Sequence, residues 1–291
     1  MQIVKQNDST AFILERKSVR NFQQVSLGED QLSNFQSIAV ATQHLEKNNS
    51  YNIKFFDFSL HYHNSKALGA YGRIMMPPHY FVTYMVGNTN MVVDLGFRTQ
   101  HVVLGMWREG IGSCYIGCVH RQEKVKRLLN LPPEAVVVSL VAFGLPEINQ
   151  PEKLFRKISQ LFVKSDKRHP LNEIFLDDSW KINEIKEEML NRVIEAARYA
   201  PSAVNAQPWR FMIRDDKFII FAKTKQPGKM YDLNNYYPLH DAGICMANMS
   251  VAARELGANL NWQWINHQYG WTNDESVLPI SFFPLADLRR K

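Results

Sequence analysis

Residues 201–211 read PSAVNAQPWRF. Just upstream, NEIKEEMLNRVIEAARYA (183–200) places Ile185, Met189, Val193 and Ala197 on one face at helical spacing. Glu184, Glu187 and Glu188 fall in the first turns, where the helix dipole favours acids. Pro201 stops this helix near Ala200, and WRFMI (209–213) then reads as a strand. The junction itself carries Ser202, Asn205 and Gln207. Two readings are open: a turn that satisfies its own backbone, or a rim that touches a flat polar ligand.

Working outward, the pattern around this junction occurs twice. DLGFRTQHVVLGMWREG (94–110) and DAGICMANMSVAARELG (241–257) align Asp94 with Asp241, Gly96 with Gly243 and Gly110 with Gly257, each pair 147 residues apart. Both segments are apolar around most of their circumference, as expected of helices buried on all sides, and both end on a glycine suited to the left-handed C′ position. In front of the first lies SLGEDQLSNFQSIAVA (26–41), with Leu32, Phe35, Ile38 and Ala39 on one face and a capping box expected from Ser26 to Glu29. IKFFDFSL (53–60) and VVVSLVAFG (136–144) read as strands. The polar KSDKRHP (164–170) marks a boundary between residues 1–165 and 166–291. We expect two α+β repeats packed intimately, with helices 94–110 and 241–257 meeting near a pseudo-twofold axis through Gly105, Ala247, Ala252 and Ala253.

The chain of 291 residues is 45% hydrophobic and 21% charged, ordinary for a folded soluble protein. It has no apolar run of membrane-spanning length, and its polar start does not read as a signal peptide. Three cysteines do not make a disulfide framework, which points to a reducing cytoplasm. The net charge of +6 comes from scattered Lys and Arg without a basic stripe, and no nucleic-acid motif appears, so an enzyme with an anionic small ligand, and no nucleic-acid partner, is expected.

Three stretches carry candidate chemistry. In ERKSVRNF (15–22), an extended backbone would set Arg16, Ser18 and Arg20 on one side, a pattern that suits a phosphate. Taken alone, the spacing fits a solvated helix end better. GIGSCYIGC (110–118) allows close backbone approach and presents N–H groups, but it does not match a dinucleotide fingerprint. Cys114 and Cys118 lack dithiol spacing and read as small buried residues, and no histidine spacing supports a metal site. PSAVNAQPWRF is the third.

Together these stretches resemble the nitroreductase family of flavin enzymes, over most of the chain. PSAVNAQPWRF is similar to a P-S-x-x-N-x-Q-P-W-x-F element that lines the isoalloxazine ring from the dimer partner. GIGSCYIG, followed by VKRLLNLPPEAVVVSLVAFGLPE, is similar to the family's glycine motif and the segment after it. ERKSVR is similar to the element that grips the FMN phosphate and ribityl chain. The resemblance implies an α+β nitroreductase-like fold and a cofactor site of Arg16, Lys17, Ser18, Arg20, Tyr115, Ile116, Gly117, Pro201, Ser202, Asn205 and Gln207, with Arg156 of FRKISQLF reaching the phosphate. It places Ser202 and Asn205 on the flavin, and Gln207 in a lesser contact or in holding the turn. It implies FMN reduced by NAD(P)H, small oxidised substrates, and hydride transfer without a side-chain acid or base.

The departure from the family pattern is that each motif occurs once. The first half carries the phosphate and glycine motifs but has AVATQHLEKNN (39–49) where P-S-x-x-N would stand, and the second half has the reverse. This distribution implies a duplicated chain that imitates a homodimer, works as a monomer, and builds one site from both halves. A flavin-binding protein without reductase turnover needs the same grip.

Overall fold

Two antiparallel sheets flank a central pair of helices. The computed structural model describes residues 9–57, 75, 77–87, 90–147, 167–180, 187–225, 232–265 and 274–289. Short 3-10 turns aside, the first half runs α1 (Ala11–Glu15), α2 (Glu29–Ala41), β1 (Ser50–Asp57), β2 (His79–Val86), α3 (Met91–Arg108), β3 (Gly112–Gly117), α4 (Gln122–Leu129) and β4 (Ser139–Gly144). The second runs α5 (Leu171–Ile174), α6 (Glu188–Arg198), β5 (Trp209–Arg214), β6 (Lys217–Lys223), α7 (Tyr236–Glu255), β7 (Gln263–Trp264) and β8 (Val277–Pro284). The strand orders are β1-β2-β4-β3 and β5-β6-β8-β7, and every pairing is antiparallel. The α+β reading therefore holds, and the two halves share one strand order.

The central helices are α3 and α7, buried almost throughout, as their apolar circumference requires. They touch backbone to backbone. A Cβ on Gly96 would lie 2.1 Å from the His240 carbonyl oxygen, and one on Gly243 would lie 1.9 Å from that of Val93. The close approach is thus made by the two glycines of the repeat, not by Gly105, which packs beneath Ile38 of α2. Each central helix is followed by a left-handed glycine, Gly110 at φ 76° and Gly257 at φ 84°, as the repeated G predicts. Across the crossing, Gln100 Nε2 donates to Asn248 Oδ1 at 2.8 Å, and Asn248 Nδ2 donates to the Ala196 carbonyl at 2.8 Å.

The largest apolar cluster mixes Val93, Leu95 and Phe97 with Trp209, Phe211, Met246 and Ala247, so the halves share a core. Fully burying each such large side chain is worth about 1.5–3 kcal/mol. Local expectations needed three corrections. The N-cap of α2 is Gly28 with no side-chain cap, because Glu29 is the first helical residue and stands too early to close a box with Ser26. Strand β1 begins earlier than expected, at Ser50, while 58–60 lie outside the described residues. Val136 pairs with Met85 as an isolated bridge, and β4 proper starts at Ser139. Among the described residues, no helix is long and apolar enough to cross a membrane.

Candidate functional site

After α1 the backbone turns extended at Arg16 (φ −61°, ψ 123°) and runs parallel beside β3. Ser18 bridges Ser113, and Val19 N donates to the Ser113 carbonyl at 2.9 Å. Val19 is buried against Gly112, where any Cβ would meet its side chain at 2.6 Å. With Val19 fixed inward and Lys17 exposed, Arg16, Ser18 and Arg20 share the other side.

Arg16 is 5% exposed, and its Nε and that of Arg20 are buried without a hydrogen-bond partner. Among the described residues neither guanidinium pairs with a carboxylate. Burial lowers the Arg16 guanidinium to about 10; Arg168 and Arg20 push the same way, against Tyr115 and Cys114. Buried cations need a counter-charge. A phosphate, with several acceptor oxygens, fits this pair of forks.

Beside the arm, β3 is the edge strand of its sheet. Cys114 and Ile116 point into one apolar cluster, and burial pushes the Cys118 thiol up to about 12 and that of Cys114 in the same direction, so neither is a thiolate. Tyr115 and Gly117 lie on the opposite face. The Tyr115 hydroxyl donates to Gln100 Oε1 at 3.0 Å. Gly117 lies under Tyr237 of α7, whose hydroxyl accepts from Val119 N at 3.2 Å; a Cβ at 117 would sit 2.6 Å from that oxygen.

The junction 201–207 is held tightly. Asp241 Oδ2 accepts from Ala203 N at 2.9 Å, and Ser202 Oγ accepts from Gln207 N at 2.9 Å. Asn205 Oδ1 accepts from Arg168 at 2.8 Å, while Asn205 Nδ2 and Gln207 Nε2 both donate to the Lys167 carbonyl, at 3.0 and 3.1 Å. Gln207 Oε1 accepts from His169 N at 3.0 Å. Gln207, 3% exposed, therefore holds the turn. Pro201 is buried at its base. Val204, Asn205 and Gln207 all adopt left-handed backbone, at φ 49°, 56° and 47°. For a β-branched valine this costs about 1–3 kcal/mol, strain that persists only where surrounding bonds over-determine it.

One face of α7 joins these parts. Tyr237, His240 and Asp241, at spacings of three and one, face β3 and the junction. The His240 and Tyr115 rings meet edge to face at 6.0 Å. Burial raises the Asp241 carboxyl, opposed by its contacts with His240 and Ala203 N.

The structure thus brings Arg16, Ser18 and Arg20 beside Tyr115, Ile116 and Gly117, and joins them through His240 and Asp241 to Pro201–Gln207. Arg156 lies outside the described residues. Arg168, Tyr237 and His240 escaped the sequence reading. Arg168 sits in the stretch taken as a boundary, and two adjacent titratable residues in an otherwise apolar helix, His240 and Asp241, were the available signal. What marks the candidate site is the pair of enclosed arginine Nε atoms without hydrogen-bond partners.

The family model described as "Putative TM nitroreductase" matches residues 9–253. The chain belongs to this nitroreductase family. The crystal structure of a "putative nitroreductase" from Thermotoga maritima covers 98% of the chain and 97% of its own, at 17% identity and a TM-score of 0.60, which shows the same fold. Two other solved structures are similar over part of the chain. The NADPH:FMN oxidoreductase from Vibrio harveyi complexed with NAD+ is 20% identical, with 57% of this chain and 80% of that one covered and a TM-score of 0.43. An FMN-dependent nitroreductase from Clostridium difficile is 16% identical, with 48% and 88% covered and a TM-score of 0.42. No curated protein sequence matches this one.

Proposed function

We propose that this member of the nitroreductase family is an FMN-dependent NAD(P)H oxidoreductase with one cofactor site built from both halves of the chain. The observation that carries the reading is the buried Arg16 beside the half-buried Arg20, whose enclosed Nε atoms both lack partners next to an edge strand. The two arginines would hold the phosphate, with Lys17, Ser18 and Arg156 completing the grip. The backbone of Tyr115, Ile116 and Gly117 would serve the ring, where N–H dipoles stabilise developing negative charge. Pro201, Ser202 and Asn205 would wall it from the second half, and Gln207 would keep that wall in shape. When bound, FMN supplies hydride transfer from a nicotinamide to a nitroaromatic, quinone or similar acceptor, in two half-reactions sharing one cleft. The protein's part is to bind, orient and exclude water.

That one chain imitates a dimer is supported by the common strand order and the reciprocal glycine crossing. It is also supported by Arg108, which forms an ion pair with Glu255, the residue at its equivalent position 147 further on. Two identical subunits would set like charge against like there; two diverged halves need not. We infer a monomer that acts in the cytoplasm on small oxidised molecules.

The test is to mix the FMN-loaded protein with NADH or NADPH in a stopped-flow spectrophotometer. Bleaching of the flavin band on a catalytic timescale is expected. A protein that binds FMN but is not reduced by either nicotinamide would be a flavin carrier or sensor.

A further inference from the structure

One buried titratable side chain keeps a ring nitrogen that none of the contacts described so far uses. His240 is 2% exposed, and its Nε2 has no hydrogen-bond partner. Its Nδ1 lies 4.0 Å from Asp241 Oδ1. Most buried polar atoms are paired, and an exception calls for a reason. An apolar side chain of similar size would avoid the desolvation cost of an unmatched imidazole nitrogen, yet a histidine stands here.

Its surroundings supply the reason. The His240 carbonyl packs against Gly96, so α7 cannot slide or turn without a backbone clash, and the side chain is held in place. From β3 the Tyr115 ring meets it at 6.0 Å, and Tyr115 in turn lies within electrostatic reach of Arg16. On its own helix, Tyr237 bonds the backbone after β3 through Val119 N, and Asp241 bonds Ala203 N of the wall. His240 therefore stands on the helix face that bridges the glycine strand and the wall, and its two neighbours on that face are already committed to those two parts.

We propose that His240 Nε2 is the second half's hydrogen-bonding contact with the ring system of the bound flavin. This rests on the flavin reading above. The polar edge of an isoalloxazine presents both acceptors and an N–H donor, so an imidazole finds a partner in either tautomer. The unmatched nitrogen is then a cost of the free protein that ligand binding relieves.

Apoprotein of wild type, His240→Leu and His240→Gln should be titrated with FMN by fluorescence quenching. The visible spectrum of the bound flavin and the urea midpoint of each apoprotein complete the experiment. The expected result is paired: His240→Leu raises the apo midpoint, weakens FMN about tenfold and shifts the bound-flavin band, while His240→Gln, which keeps polar hydrogen-bonding atoms, recovers most of the affinity. If His240→Leu lowers the apo midpoint, or binds FMN within twofold of wild type with an unshifted band, the proposal is overturned and His240 is structural. Wild-type protein that binds no FMN overturns the flavin reading as well; binding by wild type with no change in the variant overturns this proposal alone.

Discussion

Gly117 and Trp264 stand 147 residues apart, as do Asp94 and Asp241, and the surroundings of the two pairs differ in an instructive way. Both aspartates do the same job. Asp94 Oδ1 accepts from Leu45 N at 3.3 Å, and Asp241 Oδ2 accepts from Ala203 N at 2.9 Å, so each central helix ties down the loop that follows α2 or α6. Beyond that the sides part. At Gly117 the strand lacks a side chain, and the arm beside it carries two arginines with unmatched Nε atoms. At Trp264 the indole donates to the Leu45 carbonyl at 3.1 Å and closes the strand onto its loop. The basic group on that side, Arg98, is engaged with the Ala39 carbonyl at 3.1 Å, with His44 at 3.0 Å and with the Tyr51 ring at 4.2 Å. Orphan atoms remain there too, at Asp94 Oδ2, Arg98 Nε and the Tyr51 hydroxyl, and Arg20 on the other side reaches the Ser18 carbonyl at 3.5 Å. The sides therefore differ in how many side-chain contacts hold the arginine rather than in orphan atoms alone. One side has filled itself with protein. The other keeps a left-handed valine and two arginines that pair with no carboxylate among the described residues, the kind of strain and unmatched charge that clusters at functional sites.

The comparison breaks most violently at the helix crossing both sides share. Gly96→Ala or Gly243→Ala would drive a methyl into a carbonyl oxygen, at 2.1 or 1.9 Å, and only separation of the helices relieves it. Destabilisation of about 4 kcal/mol or more is expected in chemical denaturation, in the class of the most damaging core changes.

Next comes Asp94, whose carboxyl burial raises to about 6 from 3.8. A folded-state value above the unfolded one means a contribution present below about 3.8 and lost as pH rises through about 6. Asp94→Asn should remove that dependence while still accepting from Leu45 N. Its stability relative to wild type should improve by up to about 3 kcal/mol between about pH 4 and pH 7. A constant difference across that range would contradict the assignment.

Trp264→Ala should cost about 2–3 kcal/mol, below the full burial value because the residue is half-buried, and should create no second flavin site, since no unmatched arginine pair lines that side among the described residues. Binding of two FMN per chain by this variant would refute the view that the filled side lacks a phosphate grip. The smallest effect is expected at the partly exposed Arg108–Glu255 pair. Arg108→Glu should shift thermal stability by less than about 1 kcal/mol, and less still in high salt.

Much of this was legible in the sequence because it is local. The repeated D-x-G and its closing glycine marked the buried central helices, and alternation in ERKSVR put Arg16, Ser18 and Arg20 on one side once an extended backbone, rather than the helix end that the spacing alone favours, is granted. What escaped was long-range. Nothing in KSDKRHP reveals that Asn205 and Gln207 reach back to bond Lys167, Arg168 and His169, because those pairs are about 40 residues apart and set by the turn. Nor does Gly105 differ on paper from Gly96; only the crossing geometry decides which glycine meets a backbone. Side-chain roles in the junction shifted for the same reason: the amides that suggested a ligand rim are in large part its scaffolding.

The central claim is that one chain builds one site, with Arg16 and Arg20 on one side and the Pro201–Gln207 wall on the other. The direct measurement is FMN titration, with mass determined in solution, of wild type, of Arg16→Ala/Arg20→Ala, of a variant with the wall disrupted at Ser202 and Asn205, and of the two variants mixed. The account predicts one FMN per monomeric wild-type chain, weakening by about 1.5–3 kcal/mol for each arginine lost, weakened binding in the wall variant, and no recovery on mixing. Recovery of full-affinity binding in the mixture would show that separate chains exchange these parts, and would contradict the account.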